Sequence, residues 1–178
     1  QGAGVSVVGN ISAGNQGHAF VFYNRGLIEG GIQREFLSEN LSDPSIANGA
    51  TTIPIIHVPM KEFSGNVGYA SAVGLKIQYH LQNATHSQRS LFADSQFWNN
   101  KLGIALHYAQ NLTLRNLTVT QYPGVQNSDG IQPNLITGNI AYEYLKVSGY
   151  DRGITLPSWG NNVVNGGSFS NNYDLVVP

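Results

Sequence analysis

The sequence predicts an all-β chain wound as a right-handed parallel β-helix, a solenoid with about three short strands in each turn. Three observations predict it. A small residue followed by alternating apolar positions recurs as "GLKIQY" from Gly74, "GIALHY" from Gly103, "GIQPNL" from Gly130, "GITLPS" from Gly153 and "DLVVP" from Asp174. The spacings are 29, 27, 23 and 21 residues, the length of one solenoid turn. Other short apolar runs between these recurrences end in Asn or Gly. The chain also carries 19 Asn and 21 Gly in 178 residues but only 11% charged residues, against about a quarter in an ordinary soluble domain.

Each recurrence follows the two-residue period of a strand with one face inward. Leu75, Ile104, Ile131, Ile154 and Leu175 occupy one inward position, and Ile77, Leu106, Pro133, Leu156 and Val177 the next. Lys76, Ala105, Gln132, Thr155 and Val176 fall between them and point out. The other two strands of each turn are read from "SLFADSQFWNN", "NLTLRNLTVT", "NIAYEYLKVSG" and "NNVVNGGSFSNN". Asn suits the corners between them because it tolerates left-handed backbone angles and hydrogen-bonds locally. In the first third, "NISAGNQGHAFVFY" matches "NVGYASAVGLKIQY" in form, with Asn10 answering Asn66 and Gly17 answering Gly74. Residues 24–61 are a long irregular excursion, in which "IEGGIQREFLSENL" has room for a short helix. Loops of this size are functional or interface-forming as a rule.

The segments "NISAGNQGHAFVFY", "FSGNVGYASAVGLKI", "FWNNKLGIALHYAQNLTLRNLTV" and "YDRGITLP" resemble the β-helix repeats of large extracellular proteins related to fibrocystin and to the cell-migration-inducing hyaluronan-binding protein. The resemblance covers roughly residues 7–177 apart from the excursion. It implies an extracellular or cell-surface solenoid and, in some members, hyaluronan binding or depolymerisation.

Composition excludes several other classes. A net charge of −1 with no Lys/Arg run leaves no electrostatic footprint for nucleic acid or an anionic membrane. The longest apolar stretches are interrupted by Pro and His and are too short to span a membrane. With no Cys, disulfides, thiolate metal sites and Cys nucleophiles are removed together. The start, "QGAGVSVVGN", reads as mid-strand and lacks a basic-then-apolar leader. Residues 1–178 are therefore expected to be a single β-helix unit excised from a longer extracellular protein, with neighbouring domains or subunits at the solenoid ends. Asn-X-Ser/Thr sequons at Asn10, Asn40, Asn83, Asn111 and Asn116 favour a secreted, glycosylated setting.

Asp129, in "NSDGI", is the sharpest catalytic candidate, with Asp151 as its nearest second carboxylate. The segment is similar to the Asn-Thr-Asp-Gly of polygalacturonases, and that resemblance implies a catalytic acid. The paired-Asp, Gly-His-Gly and Arg-Ile-Lys segments that accompany it there are missing. Asp129 precedes Gly130 as Arg152 precedes Gly153, so adjacent turns stack the two. A carboxylate answered by a guanidinium is held ionised and donates a proton poorly at neutral pH. Asp129 and Arg152 are thus expected to form a structural pair.

A Ca²⁺-assisted lyase could be assembled from Asp94, Asp129, Asp151 and Lys101, but nothing in their spacing demands it. His18, His57, His80, His86 and His107 show no metal-type spacing, and no metal or cofactor is expected. Sugar rings stack on aromatic side chains while their hydroxyls suit Asn, Gln and Ser. Trp98, His107, Tyr108, Tyr122, Tyr150 and Trp159 are accordingly the glycan-contact candidates. The expected function is a structural or adhesive β-helix module of a secreted or cell-surface glycoprotein, with glycan or polysaccharide as ligand. The alternative is a hydrolase or lyase acting on an acidic polysaccharide.

Overall fold

The computed structural model describes residues 5–25 and 33–178. The chain coils as the sequence predicts, laying short strands on three faces in each turn. The first turn holds β1 (Ser6–Val8), β2 (Ile11–Ala13) and β3 (His18–Tyr23). The excursion follows, with β4 (Glu35–Leu37) and β5 (Thr52–Pro54). The second turn is β6 (Glu62–Ser64), β7 (Val67–Tyr69) and β8 (Val73–His80). Beyond it come β9 (Ser90–Ala93), β10 (Gln96–Trp98), β11 (Leu102–Arg115), β12 (Thr118–Thr120) and β13 (Asp129–Asn134). The last strands are β14 (Gly138–Ser148), β15 (Arg152–Thr155), β16 (Val163–Ser170) and β17 (Tyr173–Val176).

One face stacks β3, β8, the first half of β11, β13, β15 and β17, all parallel. A second stacks β1, β6, β9, the second half of β11 and the first halves of β14 and β16. The third stacks β2, β7, β10, β12 and the second halves of β14 and β16. Among the described residues only β4 and β5 pair antiparallel.

On the first face Phe20, Leu75, Ile104, Ile131, Ile154 and Leu175 are direct partners in successive strands. Leu75, Ile104, Ile131 and Ile154 are fully buried. Val177, expected to point inward, is 73% exposed, because it lies on the last turn described and no strand covers it. Gly17 does not answer Gly74: His18 pairs with Val73 and Phe20 with Leu75, which puts Ala19 opposite Gly74.

The recurring glycines have a steric cause. A Cβ on Gly74 would lie 2.6 Å from the Gly103 carbonyl oxygen, one on Gly103 2.5 Å from that of Gly130, and one on Gly130 2.5 Å from that of Gly153. At Gly103 it would also run into the Val119 methyl. Gly103→Ala is therefore expected to cost about 1–3 kcal/mol through overpacking, read as a shift in the urea midpoint. An unchanged midpoint would show that neighbouring turns separate freely.

Corners repeat as regularly. Gly9, Gly65, Asp94, Asn116, Tyr144 and Gly166 all have left-handed φ, between 48° and 67°. Each of Gly9, Gly65, Asp94 and Asn116 donates its N–H to a carbonyl of the next turn. Inside the corners run polar ladders: Asn10 N–H donates to Asn66 Oδ1 (3.0 Å), and Asn66 N–H to Ser95 Oγ (3.1 Å). They satisfy backbone groups that the bends would leave buried and unpaired.

The expected helix falls partly outside the described residues. Its described part is β4 followed by one 3-10 turn, Ser38–Asn40. The excursion has its own small core of Ile46, Ala47, Ile53 and Val58. Asn24 Nδ2, donating to the Ile55 carbonyl at 2.8 Å, and Leu81 N–H, donating to the Ile56 carbonyl at 2.7 Å, tie it to the solenoid.

Candidate functional site

The third face carries an outward column whose members are paired turn by turn: Tyr69 with Trp98, Trp98 with Thr120, Thr120 with Ser148, and Ser148 with Ser170. Strand alternation places each of them outside, because Gly68, Phe97, Val119 and Val147 take the inward positions. Tyr69 and Trp98 stack face to face, with ring centroids 4.2 Å apart and planes 3° from parallel. Trp98 is 37% exposed and Tyr122 66%. The two line a cleft of about 220 Å³ together with Asn99, Thr120 and Gln121.

Gln121 also opens a larger groove, of about 500 Å³. Pro123, Gly124 and Val125, on the loop between β12 and β13, wall it. Ser148, Ser170, Asn171, Asn172 and Asp151 supply its polar lining. Asp151 Oδ1 accepts from Asn172 Nδ2 at 3.1 Å. The groove is neutral-polar apart from this carboxylate.

Tyr150 contributes to the groove floor but is 2% exposed, and its hydroxyl donates to the Thr120 carbonyl at 3.4 Å. It follows the left-handed Gly149, as Ser71 follows Ala70 and Asn100 follows Asn99, and the residue after that corner turns inward. Its ring is a core element, which corrects the expectation of an open sugar platform there. Burial pushes the hydroxyl well above the usual tyrosine range.

The remaining candidates lie elsewhere. Tyr108 stacks on Tyr79 (4.8 Å, 12°), which meets Tyr23 edge-on at 5.7 Å, at a corner of the first face. His107 is half-buried on that face's outer side, and burial, then Lys76 and His18, hold its imidazole below the usual histidine range. Trp159 is 48% exposed and lines an apolar pocket with Leu135, Ile136, Leu156 and Pro157. The structure thus brings Trp98, Tyr122 and Tyr150 to one region and leaves His107, Tyr108 and Trp159 apart from it. Tyr69, absent from the sequence-derived set, joins them; its signal in the sequence is that it stands five places before Gly74 as Trp98 does before Gly103.

Asp129 and Arg152 are partners in adjacent strands. Arg152 Nε lies 2.6 Å from Asp129 Oδ1, and Arg152 Nη2 donates to Oδ2 at 3.0 Å. Gln132 Nε2 donates to the same Oδ2 at 3.2 Å. The carboxylate is 8% exposed and the guanidinium side 43%, so the two substitutions are unequal. Arg152→Gln strands a buried charge and is expected to cost about 1–3 kcal/mol. Asp129→Asn leaves a half-solvated guanidinium and is expected to cost about 1 kcal/mol. A double-mutant cycle in urea checks this, and strictly additive effects would refute the pairing.

Three of the five sequon asparagines have left-handed backbones, at Asn83 (φ 55°), Asn111 (φ 53°) and Asn116 (φ 50°). Asn116 Nδ2 donates to Asp94 Oδ1 at 2.7 Å, and Asn10 belongs to the inner ladder. Left-handed corner geometry favours Asn at positions 83, 111 and 116. Asn40 is exposed at the end of its 3-10 turn.

His80 is fully buried, with Nε2 2.7 Å from Ser90 Oγ. His57 Nε2 meets the Gln82 carbonyl (3.0 Å), and His86 Nε2 meets the His57 carbonyl (2.6 Å). Among the described residues no three His, Asp or Glu side chains form a group that could hold a metal ion.

The family model described as "Periplasmic copper-binding protein (NosD)" matches residues 8–177. No curated protein and no solved structure gives a significant match.

Proposed function

This chain belongs to the NosD family, and from that premise we propose that it is a structural and adhesive β-helix module, working in the cell envelope or outside it, that holds glycan on its third face. The single observation carrying the glycan reading is the Tyr69–Trp98 stack, in which Tyr69 takes one face of Trp98 and the Trp98 ring lines a cleft that shares Gln121 with a neutral-polar groove. Aromatic surfaces meet the apolar faces of sugar rings, and amides and hydroxyls meet their edges. The residues that carry the likeness to fibrocystin-related repeats are largely corner and column positions, so that likeness supports the scaffold part of the reading.

The family's description names copper, and the donors here do not fit it. The chain has no Cys and a single Met, the buried Met60. All five His lie among the described residues. His80 is enclosed, His57 and His86 meet carbonyls, and among the described residues no three His, Asp or Glu side chains, those of His18 and His107 included, converge on one point. A copper site needs several imidazole or sulfur donors converging on one point.

Hydrolysis would need two carboxylates flanking a bound chain. Asp151 lines the groove, whereas Asp129 is engaged by Arg152 and Gln132 and does not line it. Trp98→Ala is expected to weaken polysaccharide retention in affinity electrophoresis at least about tenfold, the equivalent of about 1.4 kcal/mol. Full retention by that variant would remove the platform from any binding role.

A further inference from the structure

We propose that this site takes a single extended strand of uncharged polysaccharide, lying along the solenoid axis from the Tyr69–Trp98 stack to Ser170; the inference rests on the glycan-binding reading above. The Tyr69, Trp98, Thr120, Ser148 and Ser170 column is continuous in register across five turns. At the strand spacing of a sheet its ends are about 19 Å apart, long enough for a chain and too long for one sugar. Its first two members are aromatic and its last three are hydroxyls. The cleft and the groove that flank it share Gln121, so the path is unbroken. The loop walling the groove lies on one side, with Asn171 and Asn172 lining it as well.

Charge sets the class of chain. Asp151 is the one charged residue lining the groove, and the cleft has none. Behind the lining, Asp174 Oδ1 accepts from both the N–H and Nδ2 of Asn171, which adds a second carboxylate. Of the nearby cations, Arg152 is committed to Asp129, and Lys101, in the same column as Ser128 and Asp151 and two turns from Asp151, is exposed and does not line the groove. Lys146 is exposed one column over, paired with Thr118 and Ser168, and does not line the groove. A uronate or sulfated chain would bring its anions to carboxylates with no lining cation to answer them. Neutral sugar hydroxyls instead find the amide hydrogens and lone pairs of Gln121 and Asn172 that Asn100, Tyr122 and Asp151 do not use, and the free acceptor positions of Asp151.

The test is affinity electrophoresis of the whole chain against neutral polysaccharides (mixed-linkage β-glucan, xyloglucan, mannan) and acidic ones (polygalacturonate, alginate, hyaluronan), at low and high salt. Neutral chains are expected to be retained at least about tenfold more strongly than acidic ones at low salt. Asp151→Asn is expected to narrow that ratio several-fold. Ser148→Leu is expected to weaken retention of long chains while short oligosaccharides still bind at the stack. Acidic chains retained equally or better, or binding abolished by Lys146→Ala, would overturn the charge assignment and leave the glycan reading standing. Retention of no polysaccharide at all would overturn both.

Discussion

Ile131→Ala is expected to lower the unfolding free energy by about 2–5 kcal/mol, the range for truncating a fully buried aliphatic side chain. Ile131 is buried between its strand partners Ile104 and Ile154, themselves fully buried. A solenoid has little freedom to collapse onto the resulting hole, because the spacing of turns is fixed by backbone hydrogen bonds on all three faces. Each turn also depends on its neighbours for burial, so the loss is felt on both sides of the cavity. Urea denaturation followed by circular dichroism measures it. A loss below about 1 kcal/mol would mean that the aliphatic columns are loosely packed and that the corner ladders carry the stability.

The pH dependence of stability is expected to be steep on the acid side, with His80 as its largest histidine contribution. Burial pulls the imidazole down from 6.5 to about 3. It sits against Phe22 (ring centroids 4.6 Å) and Phe92 (6.4 Å), with Ser90 as its polar partner. Above pH 6.5 this site is neutral in both states; below it the unfolded chain takes up a proton that the fold refuses, until the folded imidazole titrates near pH 3. Stability therefore falls by about 1.4 kcal/mol per pH unit on account of this one group as pH drops through that window. His18, His57 and His107 are lowered chiefly by burial and add in the same direction. Replacing His80 with Gln should flatten the slope by close to one proton's worth. Parallel slopes for the two proteins would place the acid sensitivity elsewhere.

The solenoid was legible in the sequence because its signals are local. The period-two alternation after Gly74, Gly103, Gly130 and Gly153 fixes which side chains turn inward, and repetition at near-constant spacing fixes that they stack. The pairing of Asp129 with Arg152 followed from the same alignment, since both sit one place before a column glycine. Asn at the corners, Asn83, Asn111 and Asn116 among them, was legible for the same reason.

What the tertiary structure decided is which outward residues share an axis. Tyr69, Trp98, Thr120, Ser148 and Ser170 differ in type, and the intervals between them are unequal because the loop between β8 and β9 lengthens the first and the loop between β12 and β13 the third. Alignment by the Gly positions puts Tyr69, Trp98 and Ser148 five places before Gly74, Gly103 and Gly153, but it misplaces Thr120, which the loop between β12 and β13 sets ten places before Gly130. The register of the third face is set by where the left-handed corners fall, and a corner occupied by Ala70, Asn99 or Gly149 has no common residue to mark it. Tyr150 shows the consequence: one place past its corner a residue points in, so an aromatic that looks available in the sequence is core. Why the glycines recur was likewise hidden, because the atoms that exclude a Cβ, the next turn's glycine carbonyl and the Val119 and Val147 methyls, are 16 to 29 residues away in the chain. Inward phase is a property of each strand by itself, whereas a binding face is a property of how successive turns are set against one another.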